Sequence, residues 1–295
     1  MSESYVSNID VDEIRDGFLV SARRKSIWNK EIEIMLEFDR ICKKHNIQWF
    51  TYAGTTLGAI RHEGFIPWDD DIDVVLLRPD YEKFKEVVQN ELKEGYFFQS
   101  IYTDEQIFTF SKLMDERTSA VDLTKKKDTH QGIFIDIFPL DGVADGTARQ
   151  DRLFRIKLEL WRTVMDADNL RQDLQAGADF CLPRNLLARL LKLSRLERFA
   201  EFERFCLNHF AEAERLNFIT DSFLGRDTQV RRKYYEEVAY LPFEGIKIPV
   251  PGDYHSVLRC RYGDYMQRIR GGSDHEGIML SADIPYREFL AAYEK

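Results

Sequence analysis

The sequence predicts an α+β fold, a mixed β-sheet core flanked by helices with a helical insertion, from three observations. Short β-branched or aromatic runs at residues 48–53, 74–77 and 132–138 read as buried strands. Between and before them lie segments with helical spacing of apolar residues. A long glycine-poor stretch, residues 149–170 and 185–216, reads as helix throughout.

In chain order, residues 30–44 carry Ile32, Ile34, Met35, Phe38 and Ile41 near helical spacing and end at His45-Asn46. The strand at 48–53 follows. Gly54, Thr55 and Thr56 then form a small-residue turn ahead of LGAIRH, where a helix could begin. Pro67 and Trp68 lead into Asp69, Asp70, Asp71, Ile72 and Asp73 and then the apolar Val74–Leu77 run. A helix restarts over 79–92, with Asp80 as a candidate cap. Residues 107–114 alternate as a strand, with Lys112 on the face of Phe108, Phe110 and Met114; 118–123 returns as another. In the C-terminal part, 245–250 reads as a strand, and helical material through Arg259, Tyr262 and Met266 is ended by Gly263.

The acidic run carries the chemistry. Side chains alternate on a strand, so Asp71 and Asp73 share one face while Ile72, Val74 and Leu76 take the other. Two carboxylates held that close repel, and the usual remedy is a hard, oxygen-seeking divalent cation, Mg²⁺ or Mn²⁺. Exposed N–H groups and hydroxyls at Gly54, Thr55 and Thr56 suit a phosphate, with Arg61 and His62 a turn or two along. In GIFIDIF, Phe134, Asp136 and Phe138 share a face opposite Ile133, Ile135 and Ile137. An aspartate between two phenylalanines is costly to bury without a cation or donor, which makes Asp136 a third candidate ligand. Asp141 reads as a turn former, Asp69 as a neighbour of the site that could touch substrate, and Asp70 carries no role. The plainer alternatives are solvated aspartates beside a capped helix, an edge-strand Asp136 facing water, a Lys112 solvated at an edge and a surface His62.

The text GTTLGAIRHEGFIPWDDDIDV resembles the LicD and fukutin branch of the nucleotidyltransferase fold. KLMDERTSAV, GIFIDIFPLDGV, GIKIPVP and RYGDYM are similar to later blocks of that family, most of all in the bacterial LicD phosphocholine transferases. The resemblance implies a nucleotidyltransferase-like core and transfer of a phospho-linked group from a CDP-activated donor to a glycan or lipid-linked glycan hydroxyl. CMP would leave. It makes Asp71, Asp73 and Asp136 the catalytic, Mg²⁺-binding set, and Gly54, Thr55, Thr56, Arg61 and Lys112 the donor contacts. His62 and Asp69 become substrate contacts. Phosphocholine from CDP-choline is the first expectation, with a lipopolysaccharide or teichoic acid acceptor. Ribitol phosphate from CDP-ribitol, or true nucleotidyl transfer to a small molecule, are the alternatives. A prenyl-diphosphate enzyme, which would place Asp69-Asp70-x-x-Asp73 on a helix, and a non-catalytic glycan-binding module are further rivals.

Bulk properties set the boundaries. The organisation expected for 295 residues is a catalytic core over 1–145, a helical insertion over 146–225 and a C-terminal part over 226–295 completing the same domain. A net charge of −9 argues against a nucleic-acid partner. Cys42, Cys181, Cys206 and Cys260 show no zinc spacing, so no disulfide or structural zinc is expected. The polar start and the lack of a long apolar stretch point to the cytoplasm. Leucines interleaved with Arg184, Arg189, Lys192, Arg195 and Arg198 over 185–200 make a basic amphipathic helix. A packing face with solvated arginines is its plain reading; peripheral contact with the inner face of a membrane is the functional one.

Overall fold

A computed structural model describes residues 5–104, 109–124, 129–143, 152, 195–218, 229–271 and 277–293. A hairpin of β1 (Glu13–Arg15) and β2 (Phe18–Val20) leads into α1 (Ala22–Lys44), where the Ser21 hydroxyl accepts from Arg24 N. The helix starts well before residue 30 because Lys25, Ile27, Trp28 and Asn29 are also buried. Then come β3 (Trp49–Thr51), α2 (Ala53–His62), β4 (Asp73–Leu77), α3 (Arg78–Glu91) and β5 (Tyr96–Gln99). The strands β6 (Ser111–Asp115), β7 (Ser119–Val121) and β8 (Ile133–Val143) complete the first half. The remainder supplies α4 (Arg195–Phe210), β9 (Arg215–Asn217), β10 (Val230–Arg231), a 3₁₀ turn at Arg232–Tyr235, β11 (Val238–Phe243) and β12 (Ile246–Pro251). It ends with α5 (Tyr254–Tyr262), β13 (Met279–Ser281) and α6 (Tyr286–Tyr293).

The sheet is mixed and β8 is its axis. On one side β8 runs parallel to β4, with Asp73 opposite Asp136, and β4 pairs antiparallel with β3. On its other side β8 pairs antiparallel with β6 over its first half and with β9 over its last residues. β5 extends the sheet from β6, and β10 extends it from β9. Asp136 is therefore on a central strand, not at an edge. Lys112 is likewise interior, since β6 has neighbours on both sides.

Strand parity fixes which residues face the site. Ile133, Ile135 and Ile137 join Ile72, Val74, Leu76 and Leu113 in the core under α1, together with Trp28, Ile32, Met35 and Phe38. Each such side chain stabilises by about 1.5–3 kcal/mol when fully buried. A one-residue register slip would take all three β8 isoleucines out of this core and turn Phe134, Asp136 and Phe138 into it, so the parity is strongly specified. That leaves Asp136, Asp73 and Lys112 on the other face, where Val75, Leu140, Phe50 and Tyr52 form a second core with Phe210, Leu216 and Tyr235.

Several expectations are corrected. Residue 141 is within β8, paired with Asn217 of β9, so Asp141 is no turn former. The acidic strand opens at Asp73, and Asp71 sits in the segment leading to it; the ladder reaches back only to the Ile72 carbonyl, which accepts from Asp136 N. Asp80 lies inside the first turn of α3, whose cap is Leu77. Two hairpins were not expected. Asp16-Gly17 and Glu244-Gly245 make their two-residue turns, all four with positive φ (50°, 71°, 43° and 79°), as type I′ turns require.

Residues 146–194 and 219–225 of the expected insertion lie outside the described residues, apart from Arg152. So do Arg184, Arg189 and Lys192 of the basic helix, residues 107 and 108 of the expected 107–114 strand, and Cys181. Cys42, Cys206 and Cys260 are free thiols. Among the described residues, no helix is long and apolar enough to cross a membrane.

Candidate active site

Three adjoining strands set three charged residues in a row. Asp73 at the head of β4 is level with Asp136 of β8, and Asp136 with Lys112 of β6. Lys112 Nζ is 2.7 Å from Asp136 Oδ1 and 3.4 Å from the Phe134 ring centre. The approach to Oδ1 is an ion pair without hydrogen-bond geometry, so this buried oxygen has no hydrogen-bond donor. Burial pushes the Asp73 carboxyl well above the usual carboxylate range, and the charges of Asp71, Asp136 and Asp69 push it further; Arg261 opposes them.

The start of α2 faces this row. Tyr52 N donates to the Asp73 carbonyl at 2.9 Å, and Tyr52 then caps α2 without any side-chain hydrogen bond. Ala53 begins the helix at φ 43°, an unfavourable left-handed conformation for alanine. Gly54 and Thr55 belong to the first helical turn, not to a turn before it. A Cβ on Gly54 would sit 2.7 Å from Asp69 Oδ2, so only glycine admits that carboxylate so close to the helix. The hydroxyls expected to meet phosphate also serve the fold. Thr55 Oγ1 accepts from Asp73 N at 2.8 Å, and Thr56 Oγ1 pairs with Thr51 Oγ1 at 3.0 Å. They lock α2 onto the strands. The Thr55 hydroxyl, which accepts from Asp73 N, keeps its own proton to donate to an anion, and the positive end of the helix lies beside it.

Helix α1 fixes the acidic segment from behind. Arg24 Nη1 and Trp28 Nε1 both donate to the Asp69 carbonyl, at 2.7 and 3.1 Å. One further turn along, Glu31 is buried with Oε2 unpartnered, beside a cavity of about 10 Å³ that it lines with Asp70, Ile133 and Phe134, room for about one water. Burial raises its carboxyl well above the ordinary range, and Asp71, Asp70 and Asp69 raise it further.

The other expected contacts fall elsewhere. Arg61 and His62 are in the last turn of α2, away from its N-terminus. Arg61 Nη2 donates to the Gln267 carbonyl at 2.9 Å, and His62 Nδ1 lies 3.2 Å from Asp16 Oδ2. Burial lowers the His62 imidazole, with Arg268 and Arg61 adding to this against Asp16. In their place stands Arg261, in the last turn of α5, whose Nη1 donates to Tyr52 Oη at 2.8 Å. Arg261 opens the RYGDYM block, which marked the segment but gave its arginine no role; Glu31 carried no readable sequence signal. None of Asp69 to Asp73 lies in a helix, which removes the prenyl-diphosphate geometry.

Among the described residues, no three Asp, Glu, His or Cys side chains are grouped as a ready-made metal centre. The donor chemistry nevertheless fits a hard divalent cation: carboxylate oxygens only, around an aspartate destabilised by its like-charged neighbours. Asp71, Asp73 and Asp136 are the residues that would hold it.

Residues 46–185 match a family model described as LicD/FKTN/FKRP, nucleotidyltransferase domain. All the residues predicted from the sequence for the site lie inside that span; Arg261 and Glu31 lie outside it. The chain is similar to the lipopolysaccharide cholinephosphotransferase LicD of Haemophilus influenzae, 27% identical over 244 residues, covering 80% of this chain and 88% of that protein. An uncharacterized protein of Rickettsia typhi is 34% identical over 64 residues, 22% of this chain and 21% of that protein.

Proposed function

The chain is a LicD-family phosphotransferase, and on that premise we propose that it moves phosphocholine from CDP-choline to a hydroxyl of a surface glycan, with CMP as the leaving group. Lipopolysaccharide, teichoic acid or a lipid-linked precursor is the acceptor class. The observation that carries this is the row Asp73, Asp136 and Lys112 across β4, β8 and β6, set beside the start of α2. The reading treats the mixed sheet as a nucleotidyltransferase-type core with the helical insertion expected over 146–225 shortened at its end, because β9 at Arg215–Asn217 is a strand of the sheet and not the helix expected there.

Phosphoryl transfer asks a protein mainly to align the nucleophile with the leaving oxygen and to offset developing charge. Asp136, 2.7 Å from Lys112, would take the acceptor's proton. The N-terminal turn of α2 meets the negative charge that gathers on the departing phosphate. A Mg²⁺ or Mn²⁺ held by Asp71, Asp73 and Asp136 would supply charge neutralisation at the transferred phosphate. Gly54 keeps the helix start close to Asp69.

Choline is favoured over ribitol by the aromatic surface beside Asp136. Phe138 lies 4.8 Å from both Phe110 and Phe218 and 5.7 Å from Tyr52, ring centre to ring centre, and a quaternary ammonium is drawn to such faces. Peripheral membrane contact through residues 185–200, at the cytoplasmic face, belongs to the same proposal. Purified protein with Mg²⁺ is incubated with CDP-choline and, separately, CDP-ribitol, with and without glycan acceptor. Acceptor-dependent CMP release from CDP-choline supports the reading; release from CDP-ribitol alone replaces the donor, and pyrophosphate from a nucleoside triphosphate replaces the reaction.

A further inference from the structure

We propose that Arg261 and Tyr52 form the subsite for the donor's pyrophosphate, a role for which the sequence pattern had put forward Arg61. The inference rests on the donor being a nucleoside diphosphate ester.

Tyr52 ties three elements together. Its backbone N–H donates to Asp73 at the head of β4, it caps α2, and its hydroxyl accepts from Arg261. The guanidinium carbon of Arg261 sits 4.9 Å from the Tyr52 ring centre and 5.8 Å from that of Tyr262. A planar cation held by a hydroxyl and stacked on a ring face has its fork direction set before any ligand arrives, and that fork matches two phosphate oxygens. It is also the positive charge that opposes the crowding of Asp71, Asp136 and Asp69 on Asp73. The arrangement thus puts a fixed cation at the head of β4, where a helix start already favours an anion.

Arg61 lacks this placement. It is at the opposite end of α2 from Tyr52, about 15 Å along a ten-residue helix, next to Arg268 and donating to Gln267. α5 packs on α2 through Leu258 against Leu57, so the position of Arg261 is set by the core as well as by Tyr52.

The test is calorimetric titration of the full chain with CDP and with inorganic pyrophosphate, with and without Mg²⁺. Arg261→Gln should weaken CDP binding at least about tenfold, the loss of one charge-assisted fork. Arg261→Lys, which keeps charge and stem and serves as the folded variant, should fall between. Tyr52→Phe should weaken binding less, and its effect should shrink in an Arg261→Lys background. Arg61→Lys should stay within about twofold of wild type. In turnover, Arg261→Lys should raise KM for the donor. Wild-type affinity in both Arg261 variants, or an Arg61→Lys loss as large as that of Arg261→Lys, overturns the assignment. A wild type that binds CDP through Arg261 yet releases no CMP from CDP-choline supports the subsite and overturns the donor reading. A wild type that binds neither probe overturns both.

Discussion

Two aspartates on β8, Asp136 and Asp141, are both almost fully buried, yet their surroundings differ in kind. Asp141 meets the buried Arg78 as a two-pronged pair, Nε to Oδ1 at 2.5 Å and Nη2 to Oδ2 at 2.8 Å. Arg78 also holds Glu82 at 2.9 Å, and Glu203 joins this end through Lys85 and the Tyr102 hydroxyl. Burial pushes the Asp141 carboxyl up while pairing pushes the Arg78 guanidinium up; the bidentate geometry decides that both are charged. Asp136 has a single lysine, 2.7 Å from Oδ1 and off hydrogen-bond geometry, in place of a two-pronged partner. A buried charge with all its partners is a structural fixture, whereas one left short has its cost offset by something that arrives later. The same strand thus anchors the fold at one end and works at the other.

The largest expected effect on stability is at the anchored end. Asp141→Asn strands the Arg78 guanidinium and should cost about 3–5 kcal/mol in urea unfolding. Replacing both partners, Arg78→Met with Asp141→Leu, should cost much less. If Asp141→Asn unfolds like the wild type, the distinction between the two ends fails on its structural side.

A pH series sharpens the working end. Asp73 and Glu31 both have carboxyls raised in the fold. The folded state therefore keeps protons that the unfolded chain releases in the ordinary carboxylate range, and stability falls as pH rises from that range through the raised values. Melting temperature of the cation-free protein should decline over this window, and Glu31→Gln or Asp73→Asn should flatten the decline. Mg²⁺ should restore stability at the upper end in the wild type and less so in Asp73→Asn. A flat profile in the wild type would mean that these carboxyls are not crowded.

The smallest effect belongs to the lock between α2 and β4. Thr55→Val removes the hydroxyl that accepts from Asp73 N and should cost about 1 kcal/mol in unfolding. Its effect on turnover should exceed that of Thr56→Val, whose partner Thr51 lies a step farther from the charged row. Equal effects would deny Thr55 a part in setting Asp73.

The working end was more legible in the sequence than the anchored end. Asp73 and Asp136 stand at strand positions opposite Ile72 and Val74 and opposite Ile135 and Ile137, so parity alone put them on the faces turned away from those aliphatic residues. Asp141 and Arg78 carry the same chemistry 63 positions apart, with no periodicity linking them. Arg261 is 209 positions from Tyr52 and belongs to the site only because α5 packs on α2. Glu31 has nothing in its sequence neighbourhood that sets it apart; its burial comes from how α1 lies against the acidic segment. Arg61 went the other way: a helix start near a glycine suggested phosphate, but three and a half residues per turn carry position 61 to the far end. Asp16-Gly17 was a standard hairpin pair flanked by strands of three residues, too short to show alternation.

The most direct test of the division along β8 is CMP release from CDP-choline by Asp136→Asn and Asp141→Asn, each normalised to its folded fraction. Asp136→Asn should lose about 10³-fold in turnover per folded molecule, over and above the fall in melting temperature that follows from leaving the buried Lys112 ammonium without its carboxylate. Asp141→Asn should keep near wild-type turnover per folded molecule despite its lower melting point. Full turnover in Asp136→Asn, or a loss confined to Asp141→Asn, would contradict the account.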